Sequence, residues 1–158
     1  MNITMGKAFL FIFSGLPAVG KSTLAMSVVK YFGAVYLRID TIEQGLKDLC
    51  HIDVEGEGYR LAYRMAADNL QLGNNVVADC CNPIELTRRE WEDVAVNNNC
   101  RFVNIEVVCS DKTEHKKRAE QRNAEVANMK LPVWNDIENR EYHEWHKSRI
   151  IIDTAGKT

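Results

Sequence analysis

The sequence lacks any apolar run long enough to cross a membrane and any excess of basic charge. Among its 158 residues, 20 are lysine or arginine and 22 are aspartate or glutamate, so the formal net charge is −2. A membrane-spanning helix needs about 20 consecutive apolar residues, and no stretch approaches that length. A near-neutral charge disfavours generic binding to nucleic acids and to anionic membranes. We therefore expect no membrane partner and no nucleic-acid partner.

The cysteines are few and show none of the spacings that mark zinc sites or disulfide frameworks. The five stand at positions 50, 80, 81, 100 and 109, without a CxxC pair. An odd, irregular set of this kind is typical of reduced thiols in a cytosolic protein. The short apolar run at residues 8–13 continues into a glycine-containing segment instead of a small-residue cleavage site, so it does not match a secretory signal. The sequence therefore predicts a cytoplasmic location.

Only three prolines and nine glycines interrupt the chain, and it contains neither a low-complexity linker nor an internal repeat. Apolar residues make up 46% and charged residues 27%, which is the composition of an ordinary globular protein. A disordered tail, a collagen-like fibre and a coiled-coil rod are excluded. The length fits one domain at roughly 150 residues per domain, so we expect a single domain over residues 1–158.

Short apolar runs of strand type alternate with segments of helical periodicity along the chain. The runs predict five strands, at residues 8–14, 34–39, 75–78, 102–109 and 149–152. Helical spacing predicts helices at 22–32, from 41 onward, and at 59–72, 83–97, 111–127 and 135–146. Such alternation is typical of α/β proteins in which helices cover a parallel sheet. We therefore predict a three-layer α/β fold built on a five-stranded parallel sheet flanked by helices.

One motif carries a specific chemistry. The segment GLPAVGKS at residues 15–22 matches the phosphate-loop pattern GxxxxGK[ST] at every fixed position, between a predicted strand and a predicted helix. Its glycines let successive backbone N–H groups point at phosphate oxygens, and the helix adds its positive N-terminus. We expect Lys21 to reach the β- and γ-phosphates of ATP and the Ser22 hydroxyl to bind Mg²⁺. The predicted nucleotide-binding residues of this loop are Gly15, Leu16, Pro17, Ala18, Val19, Gly20, Lys21, Ser22 and Thr23.

Two carboxylates stand at the ends of predicted strands. Asp40 ends the second strand and Asp79 ends the third. Because ligands of open α/β sheets bind at the carboxyl ends of the strands, both side chains are expected near the phosphates. Asp79 is the candidate for the Mg²⁺ site, and Asp40 is the candidate that orients and deprotonates an acceptor hydroxyl. The alternative for each is that it only caps the helix that follows.

Two arginines, Arg118 and Arg122, are spaced four residues apart, which places them on one face of the helix predicted there. A pair of guanidinium groups over a triphosphate would stabilise the charge on the phosphoryl group that is transferred. The alternative is a solvated helix face with pairs such as Glu114–Arg118. The charge pattern leaves both interpretations open.

The phosphate loop, the strand-end Asp40, VVADCCNP (76–83) and the arginine pair together resemble the small P-loop kinases. This superfamily includes adenylate, shikimate, gluconate and adenylylsulfate kinases, chloramphenicol phosphotransferase, zeta-type toxins and polynucleotide kinase. Further segments resemble a bacterial group of predicted kinases, and the resemblance runs from about residue 9 to residue 156. These segments are YLRIDTIEQGL (36–46), EGYRLAY (57–63), LPVW (131–134), REYHEW (140–145) and RIIIDTAG (149–156).

The resemblance implies a P-loop NTPase fold with a small helical lid region at about residues 112–147. It implies an ATP-dependent kinase that moves the γ-phosphoryl group to a hydroxyl of a small molecule, with ATP and Mg²⁺ as cofactors. Asp40 matches an acceptor-binding or base carboxylate, and Arg118 and Arg122 match a pair that flanks the nucleotide. Residues 123–136, called the lid segment below, match the part that closes over ATP. Residues 153–157, with Thr154 and Gly156, match a loop that surrounds the adenine.

Other functions have weaker support in the sequence. A polynucleotide 5′-end kinase shares the third-strand motif, but the chain has no basic stripe for nucleic acid. An ATP-binding or ATPase module without transfer remains if Asp40 is only a cap. DTAG (153–156) lies too far along the chain for a GTPase switch, and no NKxD motif accompanies it. RIDTIEQ stands where adenylylsulfate kinases carry DGDxxR, which disfavours that substrate.

Overall fold

The computed structural model describes residues 7–157, and within them five parallel strands form one sheet. The strands are β1 (Phe9–Ser14), β2 (Val35–Arg38), β3 (Val76–Asp79), β4 (Arg101–Val108) and β5 (Ile150–Asp153). Their order across the sheet is β2-β3-β1-β4-β5, so β1 is central and β2 and β5 are the edges. The prediction of a five-stranded parallel sheet is confirmed.

Helices cover both faces of this sheet in the described part of the chain. They are α1 (Lys21–Phe32), α2 (Ile39–Cys50), α3 (Glu57–Gln71), α4 (Glu85–Asn97), α5 (Lys112–Gln121) and α6 (Trp134–Glu138). One core packs α3 and α4 against the sheet around the fully buried Trp91, and a second packs α1 against the other face around Phe13 and Ala25. These two cores make the three layers that the strand and helix pattern predicts.

The central strand explains why its sequence is an almost continuous apolar run. Leu10 and Ile12 face the core beneath α3 and α4, whereas Phe13 faces α1. A strand buried on both faces needs apolar residues at consecutive positions. Phe13 pairs with Asp79 of β3 and with Ile105 of β4, so the carboxyl ends of the three inner strands meet at one edge.

α5 is shorter than the predicted helix at 111–127. It ends at Gln121, and Arg122 leaves the helix with ψ 149°. The helix buries only His115 and Ala119, which are one turn apart, and the next position on that face is the exposed Asn123. With nothing further to bury, the helical face ends there.

The predicted helix at 135–146 is limited to α6, and the chain beyond it follows an irregular path held by Arg88. The buried Arg88 guanidinium donates hydrogen bonds to the carbonyl oxygens of Asn82 (2.9 Å), His143 (2.9 Å) and Glu144 (3.1 Å). It also lies 4.1 Å from the centre of the Trp145 ring, where a cation and an aromatic face attract. Carbonyls within a helix bond to N–H groups four residues later, so these tertiary bonds replace the helix that the sequence pattern favours.

The ends of the predicted single domain, residues 1–6 and 158, lie outside the described residues. In the part of the chain that the structure describes, none of the helices is long and apolar enough to traverse a lipid bilayer.

Candidate active site

The phosphate loop follows β1, and its backbone has positive φ angles at Gly15, Ala18 and Gly20. Gly15 has φ 146°, and a Cβ there would lie 2.3 Å from the Val107 carbonyl oxygen. Gly20 has φ 91°, a value that side chains with a Cβ rarely adopt. The Gly15 N–H donates to the Cys81 carbonyl oxygen (3.1 Å), which ties the start of the loop to the end of β3. The two fixed glycines of the motif are thus both explained by local geometry.

The loop is also held from outside by two side chains. His115 Nε2 lies 2.8 Å from the Pro17 carbonyl oxygen, and the Thr154 hydroxyl donates to the Val19 carbonyl oxygen at 2.7 Å. α5 and the turn after β5 therefore fix the curved backbone that would surround phosphates. Sequence reasoning did not identify His115, which carries no local signal except its place on the buried face of a polar helix.

Asp79 lies at the carboxyl end of β3 and is only 3% exposed. The Tyr36 hydroxyl donates a hydrogen bond to Asp79 Oδ2 (2.6 Å), and Lys21 Nζ lies 3.8 Å from Asp79 Oδ1. Burial and the charge of Asp79 raise the pKa of Tyr36, which keeps its proton on the hydroxyl. α4 begins only at Glu85, so the role of helix cap does not fit Asp79.

The residues beside the loop fit a magnesium ion that arrives with a nucleotide. Ser22 follows Lys21 at the start of α1, and its side chain is close enough to Tyr36, the partner of Asp79, to oppose part of the rise in the Tyr36 pKa. Among the described residues, no group of three or more acidic, histidine or cysteine side chains forms a metal cage. Mg²⁺ bound through one or two protein oxygens, phosphates and waters does not need such a cage. Ser22 and Asp79 are a donor set of that kind.

The sequence predicted Asp40 at the end of a strand. In the structure it lies instead within the first turn of α2. β2 ends at Arg38, which is itself the N-cap of α2. Asp40 is exposed and influences Arg122 electrostatically: burial lowers the pKa of Arg122, and the carboxylates of Asp40 and Glu125 oppose that shift. The cap interpretation of Asp40 is therefore wrong, and the structure brings it near one predicted arginine.

Arg118 and Arg122 have different environments. Arg118 donates to the Thr154 hydroxyl (2.8 Å), the Thr154 carbonyl (2.8 Å) and the Lys157 carbonyl (2.9 Å), and it pairs with Glu114. In contrast, the buried Nε and Nη2 atoms of Arg122 find no hydrogen-bond partner within residues 7–157. α5 ends between the two residues, and their side chains have different surroundings. They therefore do not form the pair on one helix face that the spacing predicts.

The turn after β5 places Thr154 and Gly156 beside the phosphate loop. The Thr154 hydroxyl shares its one proton between the carbonyl oxygens of Val19 and Val108, at 2.7 and 3.1 Å. Gly156 has φ 70°, and its N–H donates to Glu114 Oε2 at 2.8 Å. The loop predicted to surround the adenine is thus close to the phosphate loop. The Thr154 side chain, however, bonds backbone carbonyl groups of the protein.

A second carboxylate, Glu43, lies one turn after Asp40 and was missed by sequence reasoning. Burial raises the pKa of the Glu43 carboxyl, and the negative charge of Asp40 adds to this shift. A Cβ on Gly58 of α3 would lie 2.3 Å from Glu43 Cγ, so the side chain lies directly across that helix. The i,i+3 spacing from Asp40 was a signal that could have identified it.

Comparison with known proteins places this arrangement in a family. The sequence profile of a family described as an AAA domain matches residues 10–140, which is 131 of the 158 residues. No curated protein matches the chain significantly. A predicted kinase from Chloroflexus aurantiacus has a similar structure, with a TM-score of 0.72 and 20% identity over 96% of this chain and 88% of that one.

Two further solved structures have named acceptors. The adenylylsulfate (APS) kinase of Mycobacterium tuberculosis, in complex with AMPPNP and APS, has a TM-score of 0.65 and 16% identity over 93% of this chain and 88% of that one. A gluconokinase from Sinorhizobium meliloti has a TM-score of 0.63 and 12% identity over 93% and 83%. Identities this low show a shared fold alone. The protein therefore belongs to the AAA domain family and has the fold of the small P-loop kinases.

Proposed function

We propose that the protein is an ATP-dependent kinase that transfers the γ-phosphoryl group to a hydroxyl of a small molecule. The observation that carries this proposal is the arrangement at the carboxyl edge of the sheet. There Lys21 lies beside the buried Asp79, and Asp40 lies in the electrostatic range of Arg122. This edge thus holds cations for the phosphates and a carboxylate that is free to meet an acceptor.

Each side chain has a distinct part in the proposed transfer. Lys21 leaves Asp79 to bind the β- and γ-phosphates, and Arg122 neutralises charge on the phosphoryl group in transfer. Asp40 orients the acceptor hydroxyl for in-line attack and accepts its proton. Arg118 positions the nucleotide side by bonding the turn at Thr154. Mg²⁺, when held by Ser22 and by Asp79 through water, would neutralise the phosphates.

The lid excludes water, and the turn after β5 holds the adenine. The lid segment, residues 123–136, closes over the phosphates, so that transfer to water does not compete. The turn at residues 153–157, including Thr154 and Gly156, surrounds the adenine. The named neighbours support this assignment, since one of them was solved with the ATP analogue AMPPNP. We also infer a cytoplasmic location, supported by cysteines that are all unpaired in the described chain.

The test is transfer of labelled γ-phosphoryl from ATP, with Mg²⁺, to a pool of small hydroxyl compounds. Lys21→Ala is the variant that should abolish transfer, because the side chain that contacts the phosphates is lost. Lys30→Ala, on the same helix away from the loop, is the matched control and should transfer normally.

A labelled product that forms with the wild-type protein and not with Lys21→Ala supports the kinase. Its mass then identifies the acceptor class. Label that is released only as inorganic phosphate, with the pool and with added oligonucleotide 5′ ends, contradicts small-molecule transfer and indicates an ATPase. Labelled oligonucleotide would indicate a 5′-end kinase instead. Equal product from the wild type and Lys21→Ala would contradict the assignment of the phosphate loop.

A further inference from the structure

Arg38 is a largely buried cation whose role the proposed function leaves unassigned. It is the last residue of β2, and its side chain is only 18% exposed. Arg38 Nη1 lies 2.9 Å from Glu125 Oε2, whereas the buried Nε has no hydrogen-bond partner in the described chain. A buried guanidinium with an unsatisfied N–H loses the hydration that it has in water and needs an anion to compensate.

The anion that pairs directly with Arg38 is loosely held, and the charge of Asp79 acts on Arg38 without a direct pair. The Glu125 side chain is 59% exposed and belongs to the lid segment, which has no helix or strand of its own between α5 and α6. Pairs with an exposed carboxylate add little to stability, because water and salt compete for both charges. A stronger anion that reaches Arg38 can therefore displace Glu125.

A second cation, Arg122, lies close to Arg38 and adds positive charge that an anion could neutralise. Burial is the main cause that lowers the pKa of Arg122. The positive charge of Arg38 lowers it further, because like charges repel. The Nε and Nη2 atoms of Arg122 are buried without a partner among residues 7–157. Asp40, the proposed acceptor base, follows Arg38 by two residues and lies in the field of Arg122. Positive charge and the acceptor base are thus adjacent.

The position of Arg38 in the sheet favours the acceptor over the nucleotide. The phosphate loop follows β1, and the proposed base loop follows β5, two strands from β1 in one direction. β2 is two strands from β1 in the opposite direction. Neighbouring strands are about 4.8 Å apart, so Arg38 lies roughly 10 Å from β1, on the side away from the proposed adenine loop.

We propose that Arg38 binds an anionic group, a carboxylate or a phosphate, on the phosphoryl acceptor, and that Glu125 occupies Arg38 until the acceptor displaces it. The inference rests on the proposed function and names the class of its substrate: a small molecule that carries both a hydroxyl and a negative charge. Asp40 then meets the hydroxyl while Arg38 holds the charged end.

The experiment measures binding and needs no transfer. The protein is saturated with Mg²⁺ and AMPPNP, which fills the phosphate loop, and probes are titrated by calorimetry. The probes form matched sets of a phosphate, a carboxylate and a neutral compound: glycerol 3-phosphate, glycerate and glycerol, and glucose 6-phosphate, gluconate and glucose. We expect at least one acidic probe to bind tenfold or more tightly than its neutral counterpart. The preferred member of the set distinguishes phosphate from carboxylate.

Variants at the two ends of the ion pair should have opposite effects. Arg38→Gln should remove the preference for the acidic probe, whereas Glu125→Gln should strengthen its binding several-fold, because the internal competitor is gone. A merely structural ion pair would make both variants weaken binding. Arg38→Lys keeps the charge without the planar fork and should retain part of the preference, which preserves the test if Arg38→Gln does not fold. Glu138→Gln, which breaks a solvent-accessible pair with Lys112 outside the lid segment, is the control and should have no effect.

Three results would overturn the inference: equal binding of acidic and neutral probes, no binding by any of them, or an Arg38→Gln defect in AMPPNP affinity instead of probe affinity. The last result would assign Arg38 to the nucleotide. Failure of the proposed function is distinguishable, because a protein that never transfers phosphoryl would still show the acidic preference. A neutral acceptor found in the transfer assay would leave the kinase intact and refute only the role of Arg38.

Discussion

The Tyr36 hydroxyl holds one oxygen of the Asp79 carboxylate at 2.6 Å, while Lys21 Nζ lies 3.8 Å from the other. Asp79 is therefore oriented from both sides before any nucleotide binds. In the proposed function, Lys21 moves to the phosphates and leaves Oδ1 available to a water on Mg²⁺, while Tyr36 would keep the carboxylate from rotating. Tyr36 would thus be a positioning residue for the proposed Mg²⁺ site.

Tyr36→Phe should weaken the Mg²⁺-dependent part of nucleotide affinity by about 10- to 100-fold, because a hydrogen bond to a charged group is worth roughly 1.5–3 kcal/mol. The measurement is binding of a fluorescent ADP analogue with Mg²⁺ and with EDTA. The loss should occur with Mg²⁺ and be small in EDTA.

Tyr63→Phe is a matched control for that measurement. Tyr63 also donates to a carboxylate, Glu90, at 3.0 Å, but it packs against Trp91 on the other face of the sheet. Its loss should leave both affinities unchanged. Equal weakening by Tyr36→Phe in Mg²⁺ and in EDTA would show that the residue supports folding of the loop and not the metal site.

Asp40→Asn should retain ATP binding and lower phosphoryl transfer by about 10²–10⁴-fold, the range for a general base. The amide keeps the shape of the side chain and loses the ability to accept a proton. Nucleotide titration and single-turnover transfer measure the two effects separately. Asp68→Asn, at an exposed position on α3, should leave transfer unchanged. Loss of ATP binding in Asp40→Asn would make the residue part of the nucleotide site.

Arg88→Ala should lower the free energy of unfolding by about 2–4 kcal/mol, since it removes a buried guanidinium that bonds the buried carbonyl of Asn82 and the part-buried carbonyls of His143 and Glu144. The largest effect is expected on the segment after α6, which Arg88 holds through His143 and Glu144. Urea denaturation measures the total, and hydrogen exchange locates it. Arg89→Ala, at an exposed position, should cost less than about 0.5 kcal/mol. Similar values for the two variants would contradict the structural role of Arg88.

Glu43 should make stability depend on pH in a defined direction. Its pKa is raised from 4.5 by burial, so the folded state binds the proton more tightly than the unfolded state. Wild-type stability from this group is therefore present below about pH 4.5 and decreases as the pH rises through the folded pKa. Glu43→Gln should be more stable than the wild type at pH 8, and this difference should disappear near pH 4. Denaturation at a series of pH values measures it.

Asp153→Asn provides the opposite sign in the same series. Hydrogen bonds with Ser110 and the Ala155 N–H lower the pKa of Asp153 to about 2. Its contribution is present above the unfolded pKa of 3.8 and is lost as the pH falls toward 2. This variant should be less stable than the wild type at pH 7, with the difference closing at acid pH. The same sign for both variants would contradict these environments.

The sequence predicted those features that depend on local chemistry. The glycines of the phosphate loop follow from backbone geometry at Gly15 and Gly20, and the buried β1 follows from its unbroken apolar run. The place of Asp79 follows from the same strand pattern. Tyr36 and Arg38 were not predicted as site residues because their role depends on β2 pairing with β3, and sheet order is not encoded in any local pattern.

Helix ends were the other source of error, and tertiary contacts explain them. α5 stops where its buried face stops, which separates Arg118 from Arg122. The helix expected after residue 135 is interrupted because the Arg88 guanidinium takes backbone carbonyls that a helix would use internally. A period of hydrophobic residues cannot reveal a competing donor from a distant helix.

The central position of β1 has a consequence for how the protein is made. Leu10 pairs with Val76, and Phe9 pairs with Arg101, so the strand that precedes the phosphate loop is synthesised long before its partners. At translation rates of about 5–20 residues per second, β1 waits on the order of 3–13 seconds for β3. Its apolar surface is exposed to chaperones and to aggregation during that interval. Because each pairing joins distant parts of the chain, the sheet forms late and together, and only then can a nucleotide stabilise it.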